Sequence, residues 1–197
     1  MLGVNVWYIR ILTLSTTFGI ITSTTMPRHK KHHNHFILSS NYVRSSFFGI
    51  EDSLVSTTGL IAGISVGTSD TKFILLAGFV AVAVEAVSMA AGEFLSEETE
   101  QDLSRRKRRS SPVIGGIIML ISYFLAGMIP ILPIMFFPST YAIYVSMAAA
   151  LIGLFCLGLV KGSLTRKGVL RSGLQVFFVG GIAAAIGVVV GIVFRGV

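Results

Sequence analysis

Five long apolar runs, separated by short polar gaps, constrain this chain more than any other feature in it. A helix needs about 20 mostly apolar residues to cross a bilayer. Runs of that length occupy residues 45–68, 72–95, 112–137, 140–160 and 172–194. In lipid, backbone N–H and C=O groups must be satisfied within the segment, so such runs fold as helices. The expected fold is an all-α integral membrane protein with five transmembrane helices. Composition agrees, because only 13% of residues are charged where a soluble domain carries about 25%.

The charged residues also predict an orientation. With the amino terminus in the cytosol, the inside segments hold Arg28, Lys30, Lys31 and Arg44, then Arg105, Arg106, Lys107, Arg108 and Arg109, then Lys161, Arg166, Lys167 and Arg171. The outside segments hold only Lys72 and Arg195. This asymmetry follows the positive-inside rule. It accounts for the net charge of +7 without a nucleic-acid partner, since the basic residues sit in gaps between spans and form no face of a soluble domain.

Residues 1–25 read as a leader or upstream extension, and residues 26–44 as a basic cytosolic tail. The tail carries His29, His32, His33 and His35, a composition that binds metal weakly in some tails and is otherwise a solvated segment. The transporter domain spans 45–197. The lone Cys156 lies in an apolar run and reads as packing, with no disulfide framework. Met119, Met128, Met135 and Met147 also read as core methionines. Pro130 and Pro133 interrupt the third run.

Carboxylates at membrane depth cost roughly 2.5–3.5 kcal/mol each on insertion scales, and they usually face a cavity and serve ions or protons. Asp52 lies about 10 Å into the first run at 1.5 Å per residue. In the second run Glu85, Met89 and Glu93 follow one another at i, i+4 and i+8, which places them on one helix face. Glu97, Glu98 and Glu100 continue toward the cytosolic end, where acids raise the local cation concentration at a mouth. A soft thioether among carboxylates favours later first-row ions over Mg²⁺ and Ca²⁺, so Asp52, Glu85, Met89 and Glu93 form a candidate path for a divalent transition metal. Metal binding displaces protons from its ligands, which makes Asp52 and Glu85 candidates for proton coupling. No basic residue is expected within any span to neutralise them.

Gly59, Gly63 and Gly67 form a small-residue ladder on the Asp52 helix, and Gly187 and Gly191 form another in the last run. Such ladders let membrane helices approach closely. Two other readings stay open on these residues. One is a proton-coupled carrier of another small solute, and the other a non-transporting membrane interaction protein. No nucleophile–base set points to an enzyme.

The stretch from Phe47 to Gly63, FFGIEDSLVSTTGLIAG, resembles the first-helix signature of the vacuolar iron transporter family. The stretch from Glu85 to Ser96, EAVSMAAGEFLS, resembles its second-helix signature. Ala126–Pro133 and Gly158–Gly187 are similar to later parts of the family, so the resemblance covers about residues 44–195. It implies a five-helix homodimer with the metal path at its two-fold interface and Asp52 and Met89 lining it. It implies export of Fe²⁺, often also Mn²⁺, from the cytosol by proton exchange. The metal is cargo, with no permanently bound cofactor. Two positions depart from the pattern. Ser53 stands where a glycine commonly follows the aspartate. Only residues 96–111 stand where well-studied eukaryotic members carry a long cytosolic metal-binding domain. The short form implies a plasma-membrane location over a vacuolar one.

Overall fold

A computed structural model of the chain describes residues 40–104, 111–137, 139–166 and 168–195. The leader, residues 26–39 of the tail with its four histidines, and the basic run Arg105–Arg109 lie outside the described residues, while residues 40–44 open the first helix. Five helices make up the described part: α1 Ser40–Gly67, α2 Thr71–Ser104, α3 Pro112–Phe136, α4 Ser139–Leu164 and α5 Val169–Phe194.

Local chemistry sets the helix ends. Asp70 closes the α1–α2 turn, and its Oδ1 accepts the backbone N–H groups of Lys72 at 2.9 Å and Phe73 at 3.5 Å. It thereby satisfies donors that the first turn of α2 leaves unpaired. Pro112 opens α3 at a position where its missing N–H costs nothing. The chain reverses between α4 and α5 through Arg166, which adopts a left-handed φ of 53°.

Several boundaries differ from the sequence expectation. Helix α2 continues to Ser104, so the acidic stretch after Leu95 is helical, where a loop was expected from Ser96. Helix α4 runs on to Leu164 and takes in Lys161. Helix α3 passes unbroken through Pro130 and Pro133. Each proline removes one intrahelical bond, and the Ser146 hydroxyl of α4 donates to the Pro130 carbonyl at 2.5 Å.

Four of the helices, α2 to α5, are long and apolar enough to cross a membrane. Helix α1, with 28 residues, has the length and lacks the apolarity. Packing explains the difference, since α1 contacts all four other helices. Its side chains meet protein more than lipid, so the sequence tolerates Ser45, Ser53, Thr57 and Thr58 at buried positions. The Ser53 hydroxyl donates to the Tyr123 carbonyl of α3 at 2.7 Å, and Thr58 back-bonds to the Leu54 carbonyl. The apolar surface is outside: Leu76, Val84, Leu125, Phe178 and Ile182 are all more than half exposed. Cys156 and Met135, read as packing residues, also face outward, whereas Met119 is buried and Met128 packs on the core.

The α1–α5 seam depends on glycine. A Cβ on Gly187 would stand 2.0 Å from the Gly59 carbonyl oxygen, and one on Gly191 would stand 2.2 Å from that of Gly63. The two backbones touch without side chains between them. Gly67, expected in the same ladder, meets nothing within 4 Å.

Candidate functional site

Hydrogen bonds between α1 and α2 fix their antiparallel register. Asn41 Nδ2 donates to Glu97 Oε1 at 2.9 Å, Ser45 Oγ to Glu93 Oε1 at 2.5 Å, and Ser56 Oγ to Glu85 Oε2 at 3.1 Å. Stepping four residues along both helices moves about 6 Å along the axis. By interpolation Met89 lies at the level of Gly49, and Asp52 lies between the levels of Met89 and Glu85. Asp52 is about 18 Å from the start of α1 and about 22 Å from its end, so it is near the middle of the helix.

Glu85, Met89 and Glu93 are all half-buried, between the buried stripe Ala86–Ala90 and the exposed Val84 and Val87. The face expected from their spacing is thus the edge of α2 that borders α1. Their surroundings differ sharply. Glu85 meets hydroxyls only. The Tyr123 hydroxyl of α3 donates to its Oε2 at 2.5 Å, and Ser56 lies 2.9 Å from the same hydroxyl. Oε1 of Glu85 has no hydrogen-bond donor among the described residues. Asp52 is half-buried and makes no hydrogen bond or ion pair among the described residues. It lies within electrostatic reach of Glu85 and Glu51.

The outer acids have other partners. Glu93 accepts Ser45 and forms an ion pair with Arg44 at 3.5 Å. Glu97, expected at an open mouth, is only 3% exposed. The continued helix carries it inward beneath Asn41, and its Oε2 is buried without a partner, against the gap left by Gly115. Glu98 and Glu100 are exposed, on the part of α2 that overhangs the start of α1 by about 10 Å.

Sequence reasoning missed several members of this region. Tyr123 was one aromatic in an apolar run, with nothing to mark its hydroxyl. Ser56 lies at helical spacing from Asp52 but nothing in the sequence marks its hydroxyl, and Ser45 and Asn41 drew no attention. Glu51 was overlooked beside Asp52, although a second acid in an apolar run was itself a signal. Its Oε2 lies 3.1 Å from Lys161 Nζ. Lys161 and Arg44 stand within helices that run past the expected spans, beyond Val160 and before Ser45, and neither meets Asp52 or Glu85.

Among the described residues, no three His, Cys, Asp or Glu side chains converge to hold a metal ion. The described residues instead place Asp52, Glu85 Oε1 and, at the level between Asp52 and Glu93, Met89 along the α1–α2 border without enclosing an ion.

Comparison with known proteins gives consistent matches. The profile of the VIT family matches residues 43–111 and 103–192. The two pieces meet between α2 and α3. Vacuolar iron transporter homolog 4 of Arabidopsis thaliana is 28% identical over 160 residues, covering 75% of this chain and 81% of that protein. Vacuolar iron transporter 1 of the same plant is 25% identical, covering 82% and 88% respectively. Its alignment extends over 224 positions, more than the 197 residues of this chain, so that relative carries residues without a counterpart here. A vacuolar iron transporter of Centaurea cyanus is 27% identical, covering 80% and 89%. The profile takes in all five helices, α1 from its first turn and α5 nearly to its end, and the chain belongs to the VIT family.

Proposed function

We propose that this protein is a five-span, dimeric transporter that moves Fe²⁺ or Mn²⁺ out of the cytosol in exchange for protons. The observation that carries the reading is the pair Asp52 and Glu85. Both are held at mid-helix with no cation beside them among the described residues, and together they leave unshared oxygens on the α1–α2 border. Groups of that kind inside a membrane serve ions or protons. The names of the relatives supply the metal.

Further support comes from incompleteness. The described residues of one chain bring too few donors together to enclose an ion, and a two-fold axis along the α1–α2 border would double Asp52, Glu85 and Met89. The charge asymmetry of the sequence puts the overhanging end of α2 in the cytosol, where Glu98 and Glu100 draw cations toward the border. An ion passing Glu93 reaches Met89, then Asp52 and Glu85. Protons return on the same carboxylates once the ion leaves. The relatives' names say vacuolar, and they lend nothing to a plasma-membrane location.

The test is uptake of Fe²⁺, Mn²⁺ and Co²⁺ into liposomes holding the purified protein, with and without a proton gradient. Gradient-dependent uptake that disappears in Asp52→Asn and Met89→Ala is the expected result. Because Asp52 has no partner among the described residues, Asp52→Asn should melt within about 0.5 kcal/mol of the parent, so its loss of uptake cannot be blamed on unfolding. Folded protein that moves none of the three ions refutes the reading.

A further inference from the structure

Glu85 is the one mid-helix acid whose two oxygens are treated differently. Oε2 receives both hydroxyl protons within reach, from Tyr123 at 2.5 Å and Ser56 at 3.1 Å. Oε1 receives none. The asymmetry is rigidly built. Tyr123 is 1% exposed, its carbonyl is tied to Ser53 of α1 at 2.7 Å, and one turn later Gly127 lets α3 close on Val82 and Ser53. The phenol therefore has no room to swing away from Glu85.

We propose that Tyr123, assisted by Ser56, is a specificity-determining positioning residue that makes Glu85 a one-oxygen ligand and so disfavours Ca²⁺. This rests on the reading of the α1–α2 border as a divalent-ion path. The chemistry is that of coordination number. Ca²⁺ takes six to eight oxygens at about 2.3–2.6 Å and readily accepts both oxygens of one carboxylate. Smaller divalent ions hold near-octahedral shells, in which each carboxylate gives one oxygen. With Oε2 occupied by two donors, Glu85 offers only Oε1. An ion that needs both oxygens must first displace a buried phenol from a charge-assisted bond. Hydroxyls suit this task where a lysine or arginine would not. They hold one oxygen and bring no positive charge to repel the approaching ion, unlike Arg44 at Glu93 or Lys161 at Glu51.

The test uses Mn²⁺ and Ca²⁺ uptake by the full chain in liposomes, each ion alone and in competition. Tyr123→Phe keeps the ring and removes the proton, so Ca²⁺ should become both a carried ion and an inhibitor of Mn²⁺ uptake. The Ca²⁺/Mn²⁺ ratio should rise by about tenfold, the scale of one lost charge-assisted hydrogen bond. Ser56→Ala, which removes the longer bond, should raise it by a smaller factor, and it carries the test should Tyr123→Phe fail to assemble. Adding Glu85→Gln to Tyr123→Phe should abolish the Ca²⁺ gain. General loosening of the bundle would change both ions together and leave the ratio unmoved. Variants that still carry Mn²⁺ with the parental ratio overturn the role of Tyr123 and leave the transport reading standing. A parent protein that carries no divalent ion overturns both.

Discussion

The α1–α5 seam offers a sharp steric prediction. A methyl group on Gly187 would sit 2.0 Å from the Gly59 carbonyl oxygen and 2.8 Å from its carbon, where ordinary contact begins near 3.4 Å. Neither atom can turn aside, because both belong to the α1 backbone. Gly187→Ala must therefore part the helices by about 1.4 Å, and close-packed interiors do not absorb such a shift locally. Overpacking of this kind costs about 1–3 kcal/mol, and the parting also opens the neighbouring contacts of Gly191 with Gly63. We expect a loss near the upper end, about 3 kcal/mol, or roughly 6–12 °C in Tm for a chain of this size. Gly67→Ala is the control. Its Cβ would meet nothing within 4 Å, and no glycine in the described residues has a positive φ, so its stability should be unchanged or raised by a few tenths of a kcal/mol. Thermal unfolding of the purified protein in detergent, read by helix content, measures both. Equal melting of Gly187→Ala and the parent would refute the glycine seam.

Two further substitutions test the partners of the outer acids. Lys161→Gln leaves the half-buried Glu51 carboxylate without its cation, since the two lie 3.1 Å apart with Glu51 only 26% exposed. Stability should fall by about 1 kcal/mol, and adding Glu51→Gln should restore part of it in a thermal double-mutant cycle. Gly115→Ala brings a Cβ to 2.6 Å from Glu97 Oε2, but that atom ends a flexible side chain, which can swing away for less than about 1 kcal/mol. The readout is loss of the Asn41–Glu97 bond, seen as faster amide hydrogen exchange in the first turns of α1. Unchanged exchange there would mean that the bond does not hold that end.

What the sequence disclosed follows from what lipid selects. Helices α2 to α5 face lipid on one side, so their length and apolarity are visible to a count of residues. Helix α1 is selected by its protein neighbours, and the same count ranks it last although it is the helix that touches all the others. Acids at membrane depth stood out because they are costly there, so Asp52, Glu85 and Glu93 were legible. Their partners were not, because Ser45, Ser56 and Tyr123 are ordinary residues in a membrane helix. Only the antiparallel register of α1 on α2, and the seating of α3 on both, gives them a role. Glu97, expected at a mouth, is turned inward for the same reason, on a helix that continues past the apolar run.

Charge balance ties these observations to function. Along the α1–α2 border and its flank toward α4, five acids are buried or half-buried: Glu51, Asp52, Glu85, Glu93 and Glu97. Among the described residues the cations that meet them are Lys161 at Glu51 and Arg44 at Glu93. Both stand toward the ends of their helices, where a long basic side chain reaches water. Glu97 has an amide donor for one oxygen, while Asp52 and Glu85, both half-buried, meet no cation among the described residues. A stable enclosed protein rarely leaves such a deficit, because an unbalanced charge in a low-dielectric interior is expensive. A protein whose work is to admit cations has a reason to keep it, since the ion itself supplies the missing charge while it is bound. The placement is local, since Glu51, paired with Lys161, directly precedes Asp52, which meets no cation among the described residues. On the transport reading proposed above, a cation entering between α1 and α2 gains most where the described residues provide least.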